Sequence, residues 1–224
     1  MFKTEENKEI YKAIHRSQHC QRNWDLSKEI PQEDLDLLVE AATQCPSKQN
    51  IAYYKAHFIT NRDLIEKIHS HTDGFTINNY INPKTKKNSV TNSQVLANLL
   101  IVFETHRDPE RVKGRNCETM AEQTELYKTD YDNNEVLRRD QDMAMGVAAG
   151  YVNVTAAMMG YSTGCCACFN PLEVQDLMGL DGMPRLLMGV GFKQEGTNRR
   201  IHHKNRGFQF PSLPKQPVPT FHWN

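Results

Sequence analysis

The feature that most constrains the fold is a long helical pattern over residues 135–160, whose middle carries few bulky side chains. Small residues recur along it, namely Ala144, Gly146, Ala148, Ala149, Gly150, Ala156 and Ala157. Glycine inside a helix costs about 1 kcal/mol relative to alanine, so such a helix is favoured only where another backbone must approach closely. The pattern therefore predicts a central helix that packs against a sheet or against a second subunit.

Three apolar segments predict the strands of such a sheet. Residues 54–60 (YKAHFIT) alternate well enough to form a strand, whereas residues 95–104 and 185–192 are nearly continuous apolar runs. Continuous runs of this length are typical of strands that are covered on both faces. We therefore expect 95–104 and 185–192 to be buried strands.

Shorter helices are predicted between these strands. Pro31 occupies a plausible first helical position, and the apolar residues that follow recur at helical spacing until residues 45–46. Asn61 can cap a short helix after the first strand, and Asn170 with the proline after it can open another. Strands separated by helices, with no repeat or flexible linker, predict one domain over residues 1–224 of the mixed α/β or α+β class.

The composition argues against several classes of partner. Lys and Arg together (27) equal Asp and Glu together (27), so no net charge attracts nucleic acid or a membrane surface. The charged N-terminus lacks the apolar core of a signal peptide, and the longest apolar run, 95–103, is too short to span a bilayer. We therefore expect a cytoplasmic protein with no nucleic acid or membrane partner.

Six cysteines are present, and three of them, Cys165, Cys166 and Cys168, lie close together in the sequence. Adjacent cysteines rarely bridge each other without strain, and a chain of this size needs no disulfides for stability. A metal site with His202 and His203 is the alternative, but the spacing is not C-x-x-C and no second cysteine pair completes four ligands. We therefore predict reduced thiols in a tight turn, and no metal.

Three further segments are polar or irregular. Residues 70–93 are rich in Asn and Lys and predict a loop or lid with short helices, whereas 107–134 are strongly charged and show no clear pattern. In the tail, residues 207–224, four prolines are interleaved with aromatic residues, which argues against a regular helix. We expect the tail to lie extended across a surface of its own chain or of a partner.

Two short segments carry candidate binding residues. Residues 18–25 (QHCQRNWD) precede the helix that begins near Pro31, and residues 45–50 (CPSKQN) follow it. Arginine, histidine and amide side chains in such a cluster can hold a phosphate and the hydroxyl groups beside it. Either segment alone is more simply a solvated loop beside a helix end, but their pairing and spacing favour a binding site.

The ordered set of motifs resembles the FMN-dependent nitroreductase family. That family opens with Arg-(Arg/His)-Ser-x-(Arg/Lys)-x-aromatic, and His19, Arg22 and Trp24 match three of these positions. After one helix the family has Pro-Ser-x-x-Asn, which residues 46–50 reproduce. The buried strands, the small-residue helix and the turn 162–165 (STGC) follow in the family's order, so the resemblance covers nearly the whole chain.

The chain departs from the family pattern at three places. Gln18 and Cys20 stand where the family motif has Arg and Ser, which places more of the phosphate contact on Arg22. Residues 51–53 (IAY) replace the usual Gln-Pro-Trp. The resemblance still implies a nitroreductase-like central sheet flanked by helices, in a homodimer with an extended C-terminal tail and with FMN at the dimer interface.

The resemblance also implies which residues hold the cofactor. The FMN phosphate and ribityl chain would contact Gln18, His19, Cys20 and Arg22 of the first motif. One late basic residue would also reach the phosphate, with Lys204 and Arg206 the best candidates by spacing and Arg200 the competitor. The other subunit would contribute its second motif, Pro46, Ser47 and Asn50. The flavin ring would lie near Asn92 and Gln94 at its pyrimidine edge and near the backbone of Thr163 and Gly164 at N5 and O4.

The reaction that the resemblance implies passes electrons from NAD(P)H to a small acceptor, such as a nitroaromatic or a quinone, in a ping-pong scheme. It implies no catalytic side chain, because the flavin carries the hydride chemistry and the protein orients it. One alternative keeps the fold with other flavin chemistry, namely dehalogenation, dehydrogenation or flavin fragmentation. Another is a low-turnover, flavin-binding redox sensor in which Cys20 or Cys45 responds.

Overall fold

The computed structural model describes residues 4–74, 89–106 and 135–223. The predicted segment 107–134 and most of the predicted lid, residues 75–88, lie outside the described residues. The described ranges contain five α-helices and four strands: α1 (Glu5–Ser17), α2 (Gln32–Thr43), β1 (Tyr54–Ile59), α3 (Arg62–Ser70), β2 (Leu99–Thr105), α4 (Glu135–Met158), β3 (Ser162–Cys166), α5 (Pro171–Met178) and β4 (Pro184–Gly191). The chain is thus of the mixed α+β class, as predicted.

The four strands form one sheet in the order β1-β2-β4-β3, and each neighbouring pair is antiparallel. The register pairs Ile59 with Leu100, Leu99 with Val190, and Ser162 with Gly191. At one end of the sheet, therefore, β1 and β4 finish and β2 and β3 begin. The candidate binding segments lie at this end.

Both faces of the sheet are covered by helices. Along β2, Leu99, Ile101 and Phe103 join the cluster formed with α2 and α4, whereas Leu100 and Val102 join the cluster formed with α3 and α5. Side chains alternate between the faces of a strand, so a strand buried on both sides has an almost continuous apolar sequence. This confirms the prediction of buried strands.

The small-residue helix α4 lies against the sheet, as its composition predicted. Ala144, Ala148 and Ala156 are buried in the cluster that α4 shares with α2 and the sheet. Its end also supports α1, because the Arg16 guanidinium donates to the Ala157 carbonyl at 2.8 Å and the Asn153 amide donates to the Ser17 carbonyl at 3.1 Å. Of the helices in the described ranges, none is both long and apolar enough to cross a membrane.

The two asparagine caps predicted from the sequence are confirmed. The Asn61 side chain accepts from the Leu64 amide at 2.9 Å, and Asn170 accepts from the Glu173 amide at 3.4 Å. The sequence predicts Pro31 at the first helical position of α2. It is the N-cap instead, and the helix begins one residue later at Gln32.

Three elements differ from the predictions. The strand predicted to start at residue 95 starts at Leu99, because residues 93–95 form a single 3-10 turn and their apolar neighbours are buried without being extended. Residues 162–166 form the edge strand β3, so the tight turn predicted around Cys165 and Cys166 is wrong. Helix α1 is not predicted from the sequence, because it is polar on average. Its apolar residues Ile10, Tyr11 and Ile14 recur at helical spacing but are exposed, and Ala13 is its one buried residue.

Candidate functional site

The basic segment, residues 18–25, is held at the end of the sheet between β3 and a loop near the C-terminus. The Gln21 amide donates to the Thr163 carbonyl at 2.8 Å, and the Arg22 amide donates to the Arg199 carbonyl at 3.0 Å. The Arg199 guanidinium in turn donates to the Cys20 carbonyl at 3.2 Å. The basic segment therefore lies next to residues 198–206, called here the late loop, although the two are far apart in sequence.

Trp24 anchors the basic segment to the turn before β2. Its side chain is fully buried, and its indole N–H donates to the Ser93 carbonyl at 2.9 Å. The Ser93 hydroxyl donates to the Arg22 carbonyl at 2.8 Å, which ties the same turn to the residue two positions earlier. Four of the predicted binding segments (18–22, 92–94, 163–164 and the late loop) are thus brought together.

Three arginines lie at this place, namely Arg22, Arg199 and Arg200, and they are called here the cation cluster. Burial lowers the pKa of Arg199, and the nearby charges of Arg22 and Arg200 lower it further. Desolvation, followed by the charge of Arg199, also lowers the pKa of the neighbouring His19. Among the described residues, no carboxylate forms an ion pair with any of the three arginines. Grouped cations without an acidic partner are suited to a phosphate dianion.

The structure separates the late basic residues that the resemblance implied. Arg200 lies in the cation cluster, and its guanidinium donates to the Phe210 carbonyl at 3.0 Å. Lys204 instead forms an ion pair with Glu66 on α3, next to Arg62. Arg206 is exposed, and its charge acts on His203. Arg199 was not among the predicted site residues, because sequence spacing alone does not distinguish it from the adjacent Arg200.

The two amide residues before β2 have different roles. The Asn92 side chain donates to the Asp73 carbonyl at 2.6 Å and to the Cys168 carbonyl at 3.1 Å, so its NH₂ group holds the turn together. The buried Gln94 side chain donates to the Cys165 carbonyl at 3.2 Å, but its own oxygen has no hydrogen-bond partner in the described chain. A buried acceptor left open in this way fits an N–H donor such as the one on the pyrimidine edge of a flavin.

Gly164 allows these elements to pack closely. A Cβ atom at this position would lie 2.6 Å from the Gln94 Cβ, 2.8 Å from the Gln21 carbonyl oxygen and 3.1 Å from the Cys20 Sγ. Contacts under 3.0 Å are incompatible with a side chain there, so glycine is required by the chain's own packing. The predicted approach of a flavin to Gly164 would use the same stretch of β3.

Gln18 and Thr163 complete the first set of candidates. Gln18 ends α1, and its side chain donates to the His15 carbonyl at 3.0 Å on the exposed side of the segment. Thr163 is buried, and its hydroxyl donates to the Asn153 side chain on α4. The position of β3 at the site is therefore fixed by the same helix that covers the sheet.

The second motif lies apart from the cation cluster. Pro46 and Asn50 are exposed, and the Ser47 hydroxyl accepts from the Ala52 amide at 3.0 Å within the same loop. Asn50 and Ala52 have positive φ angles of 56° and 52°, which is unusual for alanine. The Lys48 ammonium donates to the buried Asp140 carboxylate on α4 at 2.6 Å, and this ion pair holds the loop in place. Strained backbone of this kind is often found at functional sites.

The described cysteines are free thiols, as predicted. Burial raises the pKa of the Cys20 thiol, which favours the protonated and less nucleophilic form. Cys45 is buried, with its sulfur 3.1 Å from the Tyr54 hydroxyl. Within the described ranges, no three His, Cys, Asp or Glu side chains are grouped so as to hold a metal ion.

Comparisons with known proteins identify the family. The model described as the nitroreductase family matches residues 16–192. A Staphylococcus aureus (strain USA300) protein provisionally named an NAD(P)H nitroreductase is 20% identical over 185 residues, which cover 79% of this chain and 80% of that protein. The chain therefore belongs to the nitroreductase family, and the predicted resemblance is confirmed.

Solved structures agree on the fold. A Bacillus subtilis protein provisionally named a nitroreductase has a TM-score of 0.65 at 14% identity, over 95% of this chain and 96% of that chain. An Exiguobacterium sibiricum structure, described as a provisional nitroreductase in complex with FMN, has a TM-score of 0.58 at 16% identity, over 96% and 95%. The predicted nitroreductase-like arrangement of sheet and helices is thus confirmed.

His202 holds the late loop in its conformation as a neutral side chain. Its Nδ1 accepts from the backbone amides of Lys204 at 3.1 Å and Asn205 at 3.0 Å, so Nε2 carries the proton and faces the Thr91 carbonyl at 3.1 Å. The ring is almost completely buried, and this burial lowers the pKa of His202 to about 4. Protonation would therefore destabilise the late loop.

We expect the free energy of unfolding to fall by about 2 kcal/mol between pH 7 and pH 5 because of His202 alone. The unfolded chain binds a proton below the ordinary histidine pKa of 6.5, whereas the folded chain does so only near pH 4. This contribution is complete above pH 6.5 and is lost as the pH falls towards 4. Urea unfolding at both pH values should show it in the wild type but not in His202→Gln; equal pH dependence in both proteins would contradict the prediction.

Proposed function

We propose that this chain is a flavin-dependent oxidoreductase that binds FMN and passes electrons from NAD(P)H to a small acceptor, such as a nitroaromatic or a quinone. The observation that carries the proposal is the cation cluster, three arginines without a carboxylate partner in the described chain, beside the open acceptor of Gln94. The names of the Staphylococcus aureus relative and of the Exiguobacterium sibiricum complex support the electron donor and the cofactor, respectively.

Each side of the site has a proposed role. The cation cluster would neutralise the FMN phosphate, with His19 and the backbone of the basic segment close by. The Gln94 oxygen would accept from an N–H of the pyrimidine edge. The remaining residues implied by the family resemblance stay part of the proposal: Gln18, Cys20, Asn92, Thr163 and Gly164, with Lys204 and Arg206 as the alternatives to Arg199 and Arg200 for the late basic contact. Bound FMN supplies reversible hydride transfer, and the chain's own residues bind and orient it.

We also propose that the active form is a homodimer. The outer side of α4 exposes Met143, Val147 and Tyr151 at successive helical turns, and Cβ atoms at Gly146 and Gly150 would contact nothing within 4 Å. An exposed apolar helix face with small residues suits close packing against another helix. The partner's second motif would then supply Pro46, Ser47 and Asn50 to the flavin.

The exposed tail supports the same assembly. Residues 211–223 have no helix or strand, and their large apolar side chains are exposed, namely Leu213, Val218, Phe221 and Trp223. Four apolar side chains in such a short segment indicate a surface that is covered by another part of the assembly. We propose that the tail lies across the partner subunit.

Flavin content and reduction test the central proposal. Purified protein is expected to be yellow, and anaerobic NADH or NADPH should bleach the absorbance of oxidised flavin. A nitroaromatic or a quinone added afterwards should restore the colour. Colourless protein that takes up no added FMN would contradict the proposal. Yellow protein that neither nucleotide bleaches would instead favour other flavin chemistry or a low-turnover sensor.

The cation cluster predicts a contrast between two late basic residues. Arg199→Ala removes a charge that lies beside Arg22, so we expect the Kd for FMN to rise by about tenfold or more. Lys204→Ala removes a charge that is paired with Glu66, and a much smaller change is expected. Titration of flavin-free protein by fluorescence quenching measures both. A larger loss with Lys204→Ala would reverse the assignment.

Replacing Gly150 tests the dimer. In an isolated chain the new side chain of Gly150→Gln meets open space, so helix propensity should raise the free energy of unfolding by up to about 1 kcal/mol. In the proposed dimer the same side chain is forced between two helices, and we expect the dimer Kd to rise by about tenfold or more. Sedimentation measures this, with exposed Glu40→Gln on α2 as the control. A monomeric wild type, or unchanged association of Gly150→Gln, would contradict the proposal.

A further inference from the structure

Phe210 is the last buried residue before the exposed tail, and its ring contacts a charged group. Its side chain is 0% exposed, whereas residues 211–223 are all exposed. The Arg22 guanidinium carbon lies over the ring, 4.4 Å from the ring centroid. A cation at this distance is attracted by the negative face of an aromatic ring, more strongly when both are removed from water.

The position of the Phe210 ring is fixed by its surroundings. Its backbone amide donates to the Arg200 carbonyl at 2.9 Å, and the Arg200 guanidinium donates back to the Phe210 carbonyl at 3.0 Å. The His202 ring is stacked on it, with centroids 5.9 Å apart and planes at 10°. Phe208 contacts it edge-on at 5.0 Å. The ring is therefore a rigid support for whatever lies on its face.

Arg22 has few other contacts that would orient its side chain. Its Nε is buried without a hydrogen-bond partner, and in the described chain no carboxylate pairs with its guanidinium. The charges of Arg22 and Arg200 both act on Arg199, so the cluster is self-repelling without an anion. The Phe210 ring supplies the attraction that opposes this repulsion.

We propose that Phe210 is a positioning residue for phosphate recognition: its ring holds the Arg22 guanidinium within the cation cluster before the cofactor binds. The proposal rests on the proposed function, because the phosphate in question is that of FMN. A cation held in place loses less conformational freedom when the anion arrives, so the phosphate group binds more tightly.

Comparing FMN with riboflavin isolates this effect, because the two flavins differ only in the phosphate. Phe210→Leu keeps an apolar side chain but removes the ring, and we expect the Kd for FMN to rise about tenfold. The Kd for riboflavin should change by less than about twofold. The matched control is Phe192→Leu, which likewise removes a ring with a cation over it, here the Lys28 ammonium at 5.4 Å from the centroid, and should leave both values nearly unchanged.

A double-mutant cycle tests whether Phe210 acts through Arg22. In an Arg22→Ala background, Phe210→Leu should have no further effect on the Kd for FMN. If Phe210→Leu does not fold, the ring can instead be fluorinated stepwise, which weakens the negative ring face at almost constant shape. The affinity for FMN, but not for riboflavin, should then fall with each added fluorine.

The outcomes separate the two proposals. Equal losses for FMN and riboflavin, no loss for either, or a flat fluorination series would overturn the positioning role of Phe210. Additive effects of Phe210→Leu and Arg22→Ala would also overturn it. If the wild type binds neither flavin, the proposed function itself fails.

Discussion

The burial of β2 on both faces is the constraint on which the rest of the structure depends. The side chains of Leu99 to Phe103 are all 0% exposed, so helices must cover the sheet on both sides. α2 and α4 lie on one face and α3 and α5 on the other, so the ends of the strands stay accessible. The basic segment and the late loop meet at one of these ends. Backbone groups there that do not pair within the sheet can form hydrogen bonds with neighbouring loops.

At this end of the sheet, the close approach of one backbone segment to another determines which polar groups can lie there. A Cβ at Gly189 would lie 2.1 Å from the Gln94 carbonyl oxygen, so the turn before β2 can lie on β4 only because that residue is glycine. The same turn carries Gln94, whose oxygen remains open, and Ser93, which fixes the backbone beside Arg22. Apolar packing therefore positions the polar groups of the candidate site, and the electrostatic role of the cation cluster follows from that packing.

Much of this could be predicted from the sequence, and the failures have physical causes. Continuous apolar runs and Asn caps identify the strands and short helices, because burial and capping act locally. A buried apolar run does not reveal whether it is extended, so the sequence predicts a strand that already includes residues 95–98, ahead of its observed start at Leu99. Helix α1 is polar on average and buries only Ala13, and β3 is a five-residue edge strand of small side chains. Which late basic residue stays available for an anion depends on tertiary partners: Glu66 pairs with Lys204, and sequence spacing does not encode this contact.

The ion pair between Lys48 and Asp140 has a consequence for how the protein would respond to its own concentration. It joins the strained second-motif loop to α4, the helix whose outer side is exposed and apolar. If that side is covered in a dimer whose loops complete each other's sites, subunit association and cofactor occupancy are thermodynamically linked. Dilution would then release FMN, and saturating FMN would strengthen the dimer by the same free energy. In such a dimer, the amount of flavin retained would report the extent of subunit association.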